Sequence, residues 1–362
     1  MICKTKHYFF DHQYKVFIEN DQILIGKQKE SIKYRVPFSH KMLILWMFQK
    51  GKFTGFKILL KEKWKQFDMN HEDCLKFKKS LDGRIGYSKI ESLYKFLGTV
   101  GLGSYSEVLK LLKTRYFQLK VISIIQNTSP RKWESIQKMC LAQGVINNLQ
   151  LFNNELKALQ NLKHPHIIKL KEFYLNYADC YIITNYIEGE SLAKFLRYNK
   201  KISSKEIINI LKQSFEALSY IHENGFIHRD IKPENIIYDK DHKFITLIDF
   251  GFATRIGLQE YIAGTPGYTA PELFDNVVSN EKCDIFSLGC ILYELIYGKK
   301  LFQGQSLFDI QFANRECQYT LNLTDHPLHD LLRRMLEIDL SNRIVAKEGL
   351  NLLLQFEQNI QI

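Results

Sequence analysis

At 362 residues and 42.7 kDa, with 45% hydrophobic and 25% charged residues, the chain is long enough for two or three domains and too ordinary in composition for a disordered or collagen-like protein. Its longest apolar run, residues 42–48, is far short of the roughly 20 a membrane-crossing helix needs, and the first fifteen residues hold no continuous apolar stretch, so neither a membrane span nor a secretory leader is expected. The seven scattered cysteines lack CxxC spacing, which favours reduced thiols, and the net charge of +11 is concentrated in residues 1–83, where 17 Lys+Arg face 9 Asp+Glu.

Taken in chain order, residues 14–18, 22–25, 32–38, 42–48, 53–60 and 64–67 are short β-branched, aromatic and aliphatic runs separated by turn residues such as Asn20-Asp21 and Lys50-Gly51. The period then changes. Residues 71–81 place Cys74, Leu75, Phe77, Lys78 and Leu81 at helical spacing, with Asn70 as N-cap and Gly83 as the stop. Six or seven strands and one helix predict a small β-barrel or sandwich over residues 1–83, closed by its C-terminal helix. Residues 84–93 read as a linker. Beyond it strands dominate to about Val121 and helices after Leu151, which predicts a two-lobed α+β unit over residues 94–356.

Several groups of residues carry chemistry. Gly101-Leu102-Gly103-Ser104-Tyr105-Ser106-Glu107-Val108 lies between two apolar strands, and its glycines let backbone approach phosphate; Ser106 stands where a third glycine is usual. Lys120 lies in the apolar run 116–122, where burial demands a counter-charge. His228-Arg229-Asp230-Ile231-Lys232-Pro233-Glu234-Asn235 packs proton-handling, cationic and metal-binding groups into eight residues. Asp249-Phe250-Gly251 begins fourteen residues after Asn235, directly after an apolar strand, which suits a hard divalent cation.

In this order, and with Ala270-Pro271-Glu272, these segments resemble the signature set of eukaryotic serine/threonine protein kinases. The resemblance runs from about Tyr94 to Phe356, and Asp-Phe-Gly-Phe-Ala points toward the calcium/calmodulin-dependent-kinase-like group. It implies a bilobal fold, ATP and Mg2+ as nucleotide and cofactor, and protein hydroxyls as acceptors. Asp230 and Lys232 are the implied catalytic residues, and Asn235 and Asp249 the metal ligands. Gly101, Gly103, Ser104, Val108, Lys120 and Glu155 are the implied phosphate-end set, with Thr184, Asn185 and Ile187 at the adenine hinge. Glu155 is preferred to Glu134 as the partner of Lys120 because it lies nine residues before His164, at the cost of an insertion around 127–148. Thr265 stands beside the acceptor hydroxyl in this reading, Asp284 anchors the catalytic loop, and Arg343 pairs with Glu272. Residues 1–83 resemble a pleckstrin-homology domain in strand count and closing helix. That resemblance implies a cytoplasmic protein that can dock peripherally on an anionic membrane. A pseudokinase scaffold and a lipid-binding adaptor are the alternatives, and no nucleic-acid partner is expected.

Overall fold

The computed structural model describes residues 1–5, 12–38, 42–49, 52–60, 63–88, 94–102, 107–113, 133–140, 146–175, 179–199, 201–258, 264–275, 280–319, 321 and 326–360. These form two compact units, residues 1–149 with 169–186, and residues 150–168 with 187–362.

The first unit is built on strands β1 (Ile2–Thr5), β2 (His12–Glu19), β3 (Gln22–Gln28), β4 (Ser31–Pro37), β5 (Leu43–Gln49), β6 (Lys52–Leu60) and β7 (Lys63–Met69). They form an antiparallel array in the order β4-β3-β2-β1-β7-β6-β5. Alternation drives it: along β4, Ser31, Lys33, Arg35 and Pro37 are exposed while the residues between them turn inward. Gly55 adopts φ +152°, and a Cβ there would collide with the Phe67 carbonyl, so close strand approach needs a glycine. Helix α1 (His71–Leu81) follows as expected, with the Asn70 side chain accepting from the Asp73 amide at 2.9 Å. It buries Cys74, Phe77 and Leu81 against Trp46, Phe56 and Phe67. Strand β1 was not anticipated, because its four residues bury only Cys3 and show no pattern.

The stretch expected as a linker holds a buried strand, β8 (Gly86–Tyr87), parallel to both β5 and β12 (Leu170–Leu175). Residues 89–93 lie outside the described set. The same sheet continues through β9 (Tyr94–Leu102), β10 (Glu107–Lys113), β11 (Trp133–Cys140), β12 and β13 (Asp179–Asn185), in the order β8-β12-β13-β11-β10-β9. Strand β11 occupies part of the segment read as an insertion. Its apolar residues, Trp133, Ile136 and Met139, recur every three positions instead of alternating, so a strand was not legible there.

The second unit is mainly helical. Helix α2 (Ile146–Asn161), whose residues from 150 onward belong here, precedes the two-residue strand β14 (Glu190–Ser191) and helices α3 (Leu192–Tyr198) and α4 (Ser204–Glu223). Four short strands follow: β15 (Phe226–Ile227), β16 (Ile236–Asp239), β17 (Phe244–Leu247) and β18 (Thr254–Arg255). They pair as β14-β16-β17 and β15-β18. The unit ends with α5 (Lys282–Tyr297), α6 (Leu307–Arg315), α7 (His329–Met335) and α8 (Ala346–Ile360). Helix α5 is buried on nearly every side, which explains its lack of a polar face, and Gly298 at φ +65° ends it. Among the described residues no helix is long and apolar enough to cross a membrane.

Candidate active site

The candidate catalytic loop runs from β15 to β16 and is held by a buried carboxylate. Asp284, in the first turn of α5, accepts from the His228 amide at 2.9 Å and the Arg229 amide at 2.8 Å, and lies 2.9 Å from His222 Nε2. These contacts fix Arg229 in the left-handed region, at φ +65°. Burial alone pulls the Asp284 carboxyl upward. The His222 hydrogen bond and charge, the His228 charge and the amide donors outweigh it and hold the group below the ordinary carboxylate range.

Asp230 is 3% exposed and lies within a four-residue hydrogen-bond network. Its Oδ1 accepts from Thr265 Oγ1 at 2.6 Å, and its Oδ2 accepts from Asn235 Nδ2 at 3.0 Å. Lys232 Nζ is 2.7 Å from Asp230 Oδ2 and donates to Thr265 Oγ1 at 2.7 Å. A carboxylate held this way is an oriented proton acceptor beside a fixed cation. The sequence-predicted pair Asp230 and Lys232 is therefore brought together, and Thr265 completes the arrangement.

Asn235 ends the short 3-10 turn Pro233–Asn235, and its carbonyl accepts from the Ile248 amide at 2.9 Å. That bond brings the loop to Asp249, whose φ is +61° and whose Oδ1 accepts from the Gly251 amide at 3.3 Å. Burial, and then the neighbouring Asp230 charge, push the Asp249 carboxyl above its ordinary range. The Asp249 carboxyl near the buried Asp230, with the Asn235 side chain bonded to Asp230, suits a hard dication. Asp249 and Asn235 carry oxygen ligands of the kind Mg2+ takes, and among the described residues no group of three or more His, Cys, Asp or Glu gathers.

The surrounding segment is pinned by residues of the helical unit. Arg229 Nε donates to the Phe252 carbonyl at 2.8 Å, and the His228 ring lies 4.7 Å from that of Phe250. Asn314, buried in α6, accepts from the Gly267 amide at 2.8 Å and donates to the Thr269 carbonyl at 2.7 Å. Arg343 grips Glu272 through two bonds of 2.6 and 3.1 Å, as the resemblance implied. Asn314 was missed in the sequence. Its signal was a polar residue on the buried face of a short amphipathic helix, next to Ala313.

The other predicted residues are placed as follows. Glu155 is on α2 and 3% exposed, whereas its competitor Glu134 is on strand β11. The same α2 packs on the Asp249-Phe250-Gly251 turn, where a Cβ added to Gly251 would lie 3.7 Å from Leu151. Gly101 and Val108 are cross-strand partners of β9 and β10. Thr184 is buried on β13 opposite Ser135, Asn185 is opposite Glu134, and Ile187 follows β13. Gly103, Ser104 and Lys120 lie outside the described residues. The strand between β10 and β13 is β11, which sets Gln137 opposite Val108 and Lys138 opposite Glu107.

A family model for the protein kinase domain matches residues 94–353. Calcium-dependent protein kinase 5 of Plasmodium berghei is 34% identical over 227 residues, covering 61% of this chain and 37% of that protein. Serine/threonine-protein kinase cds1 of Schizosaccharomyces pombe is 31% identical over 267 residues, covering 68% and 57%. Serine/threonine-protein kinase ULK3 of Xenopus laevis is 30% identical over 254 residues, covering 68% and 51%. The chain thus spans between 37% and 57% of the length of these relatives. Since the matched region covers well over half of the sequence and includes the carboxylate, amide and lysine cluster built above, the chain belongs to the protein kinase family.

Proposed function

We propose that the protein transfers the γ-phosphate of ATP to serine or threonine hydroxyls of protein substrates. The observation that carries this reading is the Asp230–Lys232–Thr265 network: an acceptor for the hydroxyl proton, a cation for the phosphoryl charge, and a hydroxyl that joins them. Phosphoryl transfer asks little covalent work of a protein, so positioning and charge neutralisation supply the rate. In this reading Asp230 takes the proton of the acceptor alcohol as the alcohol oxygen bonds to the γ-phosphorus, the bond from that phosphorus to its bridging oxygen breaks, and ADP leaves. Lys232 stabilises charge on the transferring group. Asn235 and Asp249 hold Mg2+, which neutralises phosphate charge when bound. Lys120, oriented by Glu155, holds the α/β-phosphates, Gly101, Gly103, Ser104 and Val108 cover them, and Thr184, Asn185 and Ile187 border adenine.

The test is incorporation of labelled phosphate into a mixed peptide array. Activity is expected to fall by at least about 10³-fold in Asp230→Asn and in Asp249→Asn, on the order of 4 kcal/mol of transition-state stabilisation. Lys120→Met is expected to match them, while Lys138→Met retains turnover. Wild-type protein with no incorporation under Mg2+-ATP would leave a scaffold, and loss in Lys138→Met alone would move the phosphate lysine to β11.

We also propose that residues 1–83 are a pleckstrin-homology-like domain that brings a cytoplasmic protein to anionic membranes. The seven-strand antiparallel order and closing helix α1 support the first part. The second rests on the excess of basic residues and on Trp64, 44% exposed, paired across β6 and β7 with Leu59, 36% exposed, beside exposed Lys63 and Lys65. Sedimentation of the full chain with anionic vesicles tests it.

A further inference from the structure

Three ionisable or phenolic groups from the N-terminal region and two from β12 converge where helix α1, strand β8 and strand β12 meet. Lys78 Nζ lies 2.7 Å from Asp82 Oδ1 and 2.7 Å from Glu172 Oε1. The Tyr87 hydroxyl donates to Asp82 Oδ1 at 2.7 Å, and the Tyr174 hydroxyl donates to Glu172 Oε2 at 2.8 Å. The ammonium also sits 4.8 Å from the centre of the Tyr87 ring, which meets the Tyr174 ring edge-on at 5.6 Å. Lys78 is 5% and Glu172 1% exposed, and both tyrosines are fully buried. A buried lysine is tolerated only where carboxylates answer it, and here one carboxylate comes from the turn after its own helix and the other from β12.

The cluster is set on the backbone that leads to the nucleotide residues. Tyr87 is in register with both Ile44 of β5 and Tyr174 of β12, so β8 joins the two halves of the sheet by backbone hydrogen bonds. In the β12–β13 ladder Glu172 is opposite Ile183 and Leu170 is opposite Thr184, with a bulge between Leu170 and Glu172. Tyr181 and Ile183, on β13, belong to the same apolar core as Tyr14, Trp46, Phe77 and Tyr87. The bulge disrupts the ladder locally, and the charged cluster is anchored at Glu172, directly beside that interruption.

We propose that Lys78 and Glu172 are positioning residues for nucleotide binding: the N-terminal domain, through this pair, fixes the β12–β13 hairpin and hence the height of Thr184 and Asn185. The proposal rests on the reading that these two residues border adenine. It makes ATP affinity a property of the docked N-terminal domain, which would otherwise be a passenger.

The experiment compares full-length wild type, Lys78→Met, Lys78→Arg, the double variant Lys78→Met/Glu172→Met, and Thr184→Phe. The readouts are KM for ATP, kcat, and hydrogen exchange of the amides of β12 and β13. Lys78→Met is expected to raise KM for ATP at least about fivefold with kcat within twofold, and to speed exchange across β12 and β13. Lys78→Arg and the double variant, which answer or remove the buried Glu172 charge, recover most of both effects. If Lys78→Met melts at a lower temperature but keeps wild-type KM and wild-type exchange in β13, the pair is merely structural and the proposal is overturned. If Thr184→Phe leaves ATP binding intact, the adenine reading itself has failed, a result separable from the first. Should Lys78→Met not fold, a protease site placed at 89–93 of the wild-type chain gives the second measurement. Co-elution of the two fragments with unchanged KM supports a docked domain, and separation without change in KM overturns it.

Discussion

Asp284 decides the conformation of the candidate catalytic loop from outside it. Its two oxygens take two backbone amides and face a histidine, at 0% exposure, so each bond is made in a medium where a lost partner is costly. Asp284→Asn keeps the shape but turns an NH2 toward a donor. The expected loss is roughly 2–4 kcal/mol at neutral pH, the scale of hydrogen bonds to a buried charge together with an unsatisfied group. The pH dependence has a definite sign. The folded-state carboxyl lies below the ordinary range, so its contribution is complete above the unfolded value of about 3.9 and disappears as pH falls through the lower, folded value. Denaturant midpoints of wild type and Asp284→Asn are therefore expected to differ by a constant amount from pH 5 to 7 and to converge below about pH 4. A gap that closed between pH 6 and 7 would assign the coupling to histidine titration instead. Thr265 and Lys232 act at the same scale and touch Asp230 itself, the proposed proton acceptor.

At the scale of elements, two tendencies oppose each other on α8. Gly349 lies inside the helix, where alanine is ordinarily better by about 1 kcal/mol. A Cβ there, however, would come within 2.5 Å of Phe215 Cζ on α4, and that ring is fully buried. Overpacking of this kind costs about 1–3 kcal/mol, so packing outweighs propensity and Gly349→Ala is expected to destabilise. Trimming the ring in Gly349→Ala/Phe215→Leu is expected to recover part of the loss, measured as a double-mutant cycle on the denaturant midpoint. Gly349→Ala with a raised midpoint would mean that the α4–α8 contact yields. The reason for this glycine is not local, because the partner ring is more than a hundred residues away in sequence. The same holds elsewhere. Helix α1 could be read with its cap because Asn70, Asp73 and the apolar spacing are local. The candidate catalytic and metal residues were legible as candidates because they fall in two compact motifs. Strand β8, two residues long, and the Lys78–Glu172 pair could not, since nothing local marks a lysine on an apolar helix face as paired rather than exposed.

At the scale of the whole molecule, charge is the property that divides the chain. The first 83 residues carry an excess of eight positive charges, and the remaining residues an excess of three. Each lysine near an anionic bilayer contributes about 1 kcal/mol at low salt, and the attraction decays within a Debye length of roughly 10 Å at 0.1 M. The Trp64–Leu59 pair adds a part that salt does not screen, because it is an apolar contact at the edge of a lysine-bearing hairpin. The two parts can be separated. Full-length protein is expected to sediment with vesicles containing about one-third anionic lipid at 0.1 M salt, and to lose at least about tenfold in partitioning at 0.5 M, since several contacts of that size are being screened. Lys63→Glu/Lys65→Glu is expected to reproduce the high-salt value at low salt, whereas Trp64→Ala lowers partitioning by a similar factor at both salts. Equal sedimentation with neutral vesicles would place the whole effect on apolar contact. Absence of sedimentation at 0.1 M would assign the basic surface to solvation, and the membrane reading of residues 1–83 would be abandoned.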